Sequence, residues 1–350
     1  MNSKTILVTG QNLDLGYNRN LIILNGLRKS GYKIETFSFS KFNKSAAEKI
    51  QELSKSAYFT FIPSFGHKSV SFVKRNSVCD VIFDPLISKY MTNVKDYKTS
   101  YPFGYGALRS TYRDRTSLKH ADFVIFDTKA HREYFINKYK IDKTKTGVVY
   151  IGSNSVDFGI LNNKISEEFV IGFIGHFIPL HGIFNILKAA EILKDQSKYR
   201  FRLIGTGFHF EEAKDYCLKR DLHNVEFLGQ VKYEELNNHI AKFDVCLGIF
   251  SDNIKAYHVI PNKIFNYASC GKAIITMDSP AIREIFTHNE NIYLTAPQAE
   301  SIATAITKLA DENEHRENLG KRICEMVNTS FKEEDIAKSL IDQFQNFSKI

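Results

Sequence analysis

The chain of 350 residues is 43% hydrophobic and 25% charged, with 19 Gly and 7 Pro, which excludes wholesale disorder and collagen-like or low-complexity architectures. Its length predicts two domains, each large enough to bury a core of its own. The formal charge of +8 is unevenly placed: residues 1–150 hold 25 Lys and Arg against 12 Asp and Glu, a net +13, whereas residues 151–350 hold 22 against 27, a net −5.

In chain order, Lys4–Thr9 is a short β-branched run ending at Gly10 and predicts a buried strand. Asn18–Lys29 places apolar residues at helical spacing and closes at Gly31, so it predicts a helix. Lys33–Phe39, Ala57–Ile62, Cys79–Phe83, Ala121–Phe126 and Thr146–Ile151 continue the strands, with helical segments between them, among them Lys129–Lys138. Gly152–Glu168 is polar and aperiodic and is the expected linker. The pattern then restarts with strands at Phe169–Ile174, Tyr199–Ile204, Val225–Leu228, Phe243–Ile249 and Lys272–Met277. Helices are expected at Gly182–Leu193, Phe210–Lys219, Tyr233–Ala241 and Pro261–Ser269, and two or three more in the tail, Pro297–Asn346. Alternation of this kind predicts an α/β protein of two Rossmann-like units, with parallel sheets covered by helices on both faces. The expected boundaries are 1–155, 156–330 and a closing helix, 331–350, that could cross back to the first domain.

Five scattered cysteines without a C-x-x-C argue against a disulfide framework or a zinc site and fit a reducing cytosol. The amino terminus has no signal-peptide pattern, and the most apolar stretch, Phe169–Phe184, is broken by His176, Pro179 and His181. A cytoplasmic protein without a membrane span is expected. No P-loop, D-x-D, H-E-x-x-H or G-x-S-x-G pattern occurs. The basic half calls for an anionic partner. Arg109, Arg113, Arg115 and Lys119 share one expected helix with Tyr105 and Tyr112, which suits an anionic membrane surface or a phosphorylated substrate, charge that merely keeps the protein in solution being the alternative. No nucleic-acid motif accompanies the charge, so nucleic acid is not expected.

Two stretches carry the chemistry. Gly175-His176-Phe177-Ile178-Pro179-Leu180-His181-Gly182 joins a strand to a helix, a turn that can aim backbone N–H groups at an anion, with His176 and His181 as further donors. Histidines that merely cap the turn are the alternative. In His258-Val259-Ile260-Pro261-Asn262-Lys263, Pro261 suits a helix start, leaving the N–H groups of Asn262 and Lys263 free. Lys263 adds a full charge there, and Asn266 lies one turn on; a surface lysine on a packed helix is the alternative. Gly205-Thr206-Gly207 follows a strand but has Phe210 where a dinucleotide fingerprint needs its third Gly, so taken alone a plain tight turn explains it better than a phosphate-binding one.

Taken in order, Gly175…Pro179-Leu180-His181-Gly182, Leu203-Ile204-Gly205-Thr206-Gly207, Val225–Gly229, Phe243–Phe250 and Val259-Ile260-Pro261-Asn262-Lys263 resemble the carboxy-terminal domain of family 4 glycosyltransferases with the GT-B fold, in a bacterial V-I-P-N-K variant group. Tyr17-Asn18-Arg19-Asn20, Asp84–Ser88, Asp114-Arg115 and Asp127-Thr128 resemble the amino-terminal domain more loosely. The resemblance implies two Rossmann-like domains facing a cleft. It also implies a UDP- or GDP-sugar donor held mainly by the second domain and a lipid-linked or glycan acceptor held mainly by the first. Hexosyl transfer would proceed with retention and without a metal, in cell-surface polysaccharide synthesis. Gly175, Gly205, Gly207, His258, Pro261, Asn262 and Asn266 then face the donor, and Lys263, His181 and His176 serve the chemistry. Arg19, Asp84, Arg109 and Arg113 face the acceptor. The family's usual Arg and Lys on the diphosphate correspond to His176 and His181, and its usual Glu pair to His258 and Asn266. A catalytically weakened nucleotide-binding or partner subunit is the alternative, and a sugar-nucleotide epimerase a third.

Overall fold

The structure is a computed structural model that describes residues 4–154, 157–161 and 167–349. It divides into two units, residues 1–152 with 331–350 and residues 153–330. The expected boundary at 155/156 and part of the expected linker lie outside the described residues.

The first unit holds a six-stranded sheet of β1 (Thr5–Gln11), β2 (Lys33–Phe39), β3 (Ala57–Ile62), β4 (Val81–Phe83), β5 (Phe123–Phe126) and β6 (Thr146–Val148). The order is β2-β1-β3-β4-β5-β6, and every pairing is parallel. Ile6, Leu7 and Val8 are all buried because β1 is covered on both faces, which is why that segment is a continuous apolar run. Its helices are α1 (Asn18–Lys29), α2 (Lys44–Ser54), α3 (Val70–Asn76), α4 (Tyr105–His120) and α5 (Lys129–Tyr139). Asn43 Oδ1 accepts from Ala46 N at 3.0 Å and Thr128 Oγ1 from His131 N at 3.0 Å, so α2 and α5 begin at side-chain caps.

The second unit repeats the plan with β7 (Phe169–Ile174), β8 (Tyr199–Ile204), β9 (Val225–Gly229), β10 (Val245–Leu247), β11 (Ala273–Met277) and β12 (Tyr293–Thr295). Their order is β12-β11-β10-β7-β8-β9, again parallel. Its helices are α6 (Ile183–Ile192), α7 (Phe210–Arg220), α8 (Leu236–Ala241), α9 (Asn262–Ser269), α10 (Ala299–Asp311) and α11 (Asn313–Ser330). The last helix, α12 (Glu333–Phe347), belongs to the first unit. There Ile336, Leu340 and Phe344 join the core beneath β1, β3 and β5.

Several elements differ from expectation. The expected strands Thr146–Ile151 and Phe243–Ile249 shrink to three residues each, because their flanks leave the ladder for loops. Tyr233–Ala241 splits into a 3₁₀ turn and α8. A π-helix at Met91–Asp96, a 3₁₀ turn at Pro179–His181 and β12 carry no periodicity long enough to announce them.

Both sheets reverse direction at one strand. In the first unit the chain builds β2 on one side of β1 and the remaining strands on the other. In the second it builds β8 and β9 on one side of β7, then returns to add β10 on the other. Such reversal points open a crevice beyond the carboxyl ends of the strands, where open α/β sheets bind ligands.

Candidate active site

At the reversal point of the second unit, the loop after β7 meets the loop and helix after β10. Gly175 has φ +155°, and a Cβ there would lie 2.7 Å from Lys263 Nζ and 3.0 Å from His181 Cε1. Only glycine admits both side chains to this spot. Gly205 (φ +123°) packs so closely that a Cβ would stand 2.1 Å from the Gly175 carbonyl oxygen, and one at Gly207 (φ +145°) would stand 2.9 Å from Phe177 N. The glycines expected to face a donor therefore bring the β7 and β8 turns together around Lys263.

Lys263 is 7% exposed, and its Nζ lies 3.9 Å from the centre of the Phe173 ring with no hydrogen-bond partner. Burial holds its pKa well below the ordinary lysine value. The lysine is held there from one turn away, where the Tyr267 hydroxyl accepts from Ile174 N at 2.7 Å and ties α9 to the end of β7. The Oδ1 atoms of Asn262 and Asn266 are likewise buried without a partner. Pro261 is the N-cap of α9 rather than its first residue, so the first N–H groups of the helix still lack intrahelical acceptors.

His181 is buried, and its Nδ1 donates to the His176 carbonyl. Burial and then the neighbouring Lys263 push its pKa well below the ordinary histidine value. A carbonyl only accepts, so Nδ1 carries the proton and the neutral ring presents Nε2 as an acceptor. His176 lies exposed at the rim. The expected cradle of N–H groups along His176–Gly182 is largely absent. Gly175, Phe177, Ile178, His181 and Gly182 each donate to a protein carbonyl, because the turn tightens into a 3₁₀ helix. His258 is half-buried, and its Nδ1 pairs with the Ile254 carbonyl at 2.7 Å. Lys255, missed in the sequence, is buried close enough to His181 to lower its pKa. It sits in an irregular loop where nothing in the spacing marks it.

In the first unit, Arg19 and Asp84 do not present themselves to solvent. They are 1% and 0% exposed, and Arg19 Nε meets Asp84 Oδ2 at 2.6 Å, while Arg19 Nη1 donates to the Val149 carbonyl at 2.9 Å. Each charge answers the other, so the pair braces the loops beyond β4 and β6 from within. Arg109 is exposed and Arg113 half-buried on α4. Among the described residues, no cluster of three or more His, Cys, Asp or Glu could hold a metal ion, and no helix is long and apolar enough to cross a membrane.

Comparison with known proteins bears on the fold that carries this site. The family described as "Glycosyl transferases group 1" matches residues 161–326. An uncharacterized glycosyltransferase of Methanocaldococcus jannaschii is 21% identical over 278 residues, 71% of this chain and 69% of its own length. The probable glycosyltransferase WbjE of Pseudomonas aeruginosa is 26% identical over 143 residues, 41% of this chain and 35% of its own. Among solved structures, HepE of Anabaena in complex with UDP and glucose superposes with a TM-score of 0.76 at 15% identity, over 97% of this chain and 99% of that one. The lipopolysaccharide outer core galactosyltransferase WaaB does so at 0.67 and 14%, over 99% and 100%. The chain has the GT-B fold of these structures, and its residues 161–326 match the model of the glycosyl transferases group 1 family.

Proposed function

We propose that this protein transfers a hexose from a UDP- or GDP-sugar to a glycan or lipid-linked acceptor in cell-surface polysaccharide synthesis. The donor occupies the second unit and the acceptor the first. Retention of configuration follows from the resemblance to family 4 and its V-I-P-N-K variant. One observation carries the reading: a lysine amine, buried without a hydrogen-bond partner, is admitted by a glycine at a sheet reversal point. Such a group costs stability unless a ligand pairs with it. A diphosphate arriving beside Lys263 raises its pKa, so the positive charge is assembled together with the donor. Cleaving the sugar–phosphate bond builds negative charge on the leaving diphosphate. Lys263 and the start of α9 meet that charge more strongly in the transition state than before it. In this reading the diphosphate charge is answered by the chain itself, with no metal required.

The acceptor side supports work at the inner face of a membrane. Tyr101, Phe103, Tyr105, Leu108 and Tyr112 are between 66% and 96% exposed along α4 and the loop before it. Arg109, Arg115 and Lys119 stand exposed on the same helix. Aromatic side chains beside cations suit the headgroup region of an anionic bilayer.

A second reading, a nucleotide-binding subunit of weakened activity, draws on His181, whose neutral ring offers an acceptor where the family commonly has a cation. Incubation with radiolabelled UDP- and GDP-sugars and membrane extract decides between them. Transfer of label establishes the transferase. Binding without turnover establishes the subunit, and a changed free sugar nucleotide an epimerase.

A further inference from the structure

The first unit has its own cavity of about 420 Å³ at its reversal point, beside the end of β1 and the loop after β3. Lys68, Lys89 and Arg113 line it together with Gln11, Asn12 and Asn93, and no carboxylate is among its lining residues. Three cationic side chains around a polar cavity make a surface that attracts an anion.

The cavity is built rather than incidental. Asp114, fully buried, accepts from Lys89 N at 2.8 Å, Tyr90 N at 3.1 Å, Ser88 Oγ at 2.7 Å and the Tyr139 hydroxyl at 2.7 Å. That hub fixes the backbone that carries Lys89, while the next residue back on α4, Arg113, lines the cavity. Asn93 Nδ2 donates to Ser110 Oγ at 3.0 Å, and Gln11 N to Ser69 Oγ at 2.8 Å. Asn12 (φ +48°) and Phe65 (φ +71°) both hold left-handed backbone at its wall, a conformation that persists only where the surroundings enforce it.

We propose that this cavity binds a phosphate or diphosphate group, so that the acceptor is a phosphorylated molecule gripped by its anionic end. The identity of the acceptor rests on the transferase reading; the anion site does not. A soluble sugar phosphate and a lipid-borne diphosphate share this chemistry.

The test is calorimetric titration of the full chain, first saturated with UDP to fill the second unit, with inorganic pyrophosphate. One further pyrophosphate site is expected. The double variant Lys68→Ser/Lys89→Ser should weaken it tenfold or more, whereas Lys33→Ser/Lys55→Ser, equal in charge but at the opposite, amino ends of β2 and β3, should leave it within twofold. No pyrophosphate site beyond UDP, or equal loss in both doubles, overturns the proposal. Should UDP fail to bind, the donor reading falls alone, and the same titration of Lys263→Ala reads the first-unit cavity by itself. Parallel titrations with glucose 1-phosphate and with farnesyl diphosphate in neutral micelles distinguish the two sources, the tighter binder naming the acceptor.

Discussion

The two units solve one problem with opposite means. Each has a six-stranded parallel sheet that reverses direction at one strand, and each places a buried histidine beside a lysine at that reversal. In the second unit, glycines draw the turns close around Lys263, whose amine is buried without a hydrogen-bond partner. In the first, Lys68, Lys89 and Arg113 ring an open polar cavity. The surrounding charge follows suit: the first unit has 28 Lys and Arg against 16 Asp and Glu, a net +12, and the second has 19 against 23, a net −4. A buried site makes one cation strong at short range, while an open basic surface attracts an anion from afar.

The contrast breaks first at Lys263. Lys263→Ala should lower transfer about 10²- to 10³-fold while the protein stays folded, the scale of one preorganised group facing developing charge. Equal loss from Lys68→Ala would erase the distinction between the buried and the open site.

The buried histidines offer the next test. Burial holds His67 at about 4, against an ordinary value of 6.5. Unfolded chain therefore binds a proton between pH 6.5 and 4 that the folded protein refuses. Stability is retained above pH 6.5 and lost as pH falls towards 4, by about 3 kcal/mol for a shift of this size. Urea melts of wild type and His67→Gln across that window should diverge by this amount. Parallel curves would mean that His67 is solvated in solution.

A smaller effect of opposite sign is expected from Lys263→Met. Removing an unpaired buried amine should stabilise the ligand-free protein by about 1–2 kcal/mol and abolish the rise in Tm that UDP gives wild type. Destabilisation by the methionine would show the amine to be satisfied in the free protein. Smallest is the surface effect. Wild type should sediment with vesicles containing anionic lipid and be released at high salt, and Tyr105→Ser/Tyr112→Ser should weaken sedimentation severalfold. Equal binding to neutral vesicles would deny the basic face its role.

Legibility in the sequence divides along the same line. Gly175, Gly205 and Lys263 could be read because a strand, a tight turn and a helix start leave local marks within a few residues. Arg19 and Asp84 could be picked out by resemblance, but not their mutual burial, since 65 residues separate them. Lys68, Lys89 and the Asp114 hub went unread as a site. They come from two different crossovers, the one after β3 and the one after β4, and only the sheet brings them together. Tyr105 and Tyr112 stood out beside the arginines, whereas Tyr101 and Phe103 look like ordinary core aromatics until their exposure is seen.

The crossing helix has a consequence for the order in which the protein matures. α12 lies against α1 so tightly that a Cβ on Gly26 would fall 1.9 Å from the Glu333 carbonyl oxygen. Phe344 fills the space among Tyr58, Phe59 and Phe123. During synthesis the first unit emerges early with one side of its core bare, and must wait while 178 residues of the second unit are made and folded. The unit translated first is thus completed last, and a ribosome that stops short of α12 releases a chain whose second half is whole and whose first half is exposed to proteases and chaperones.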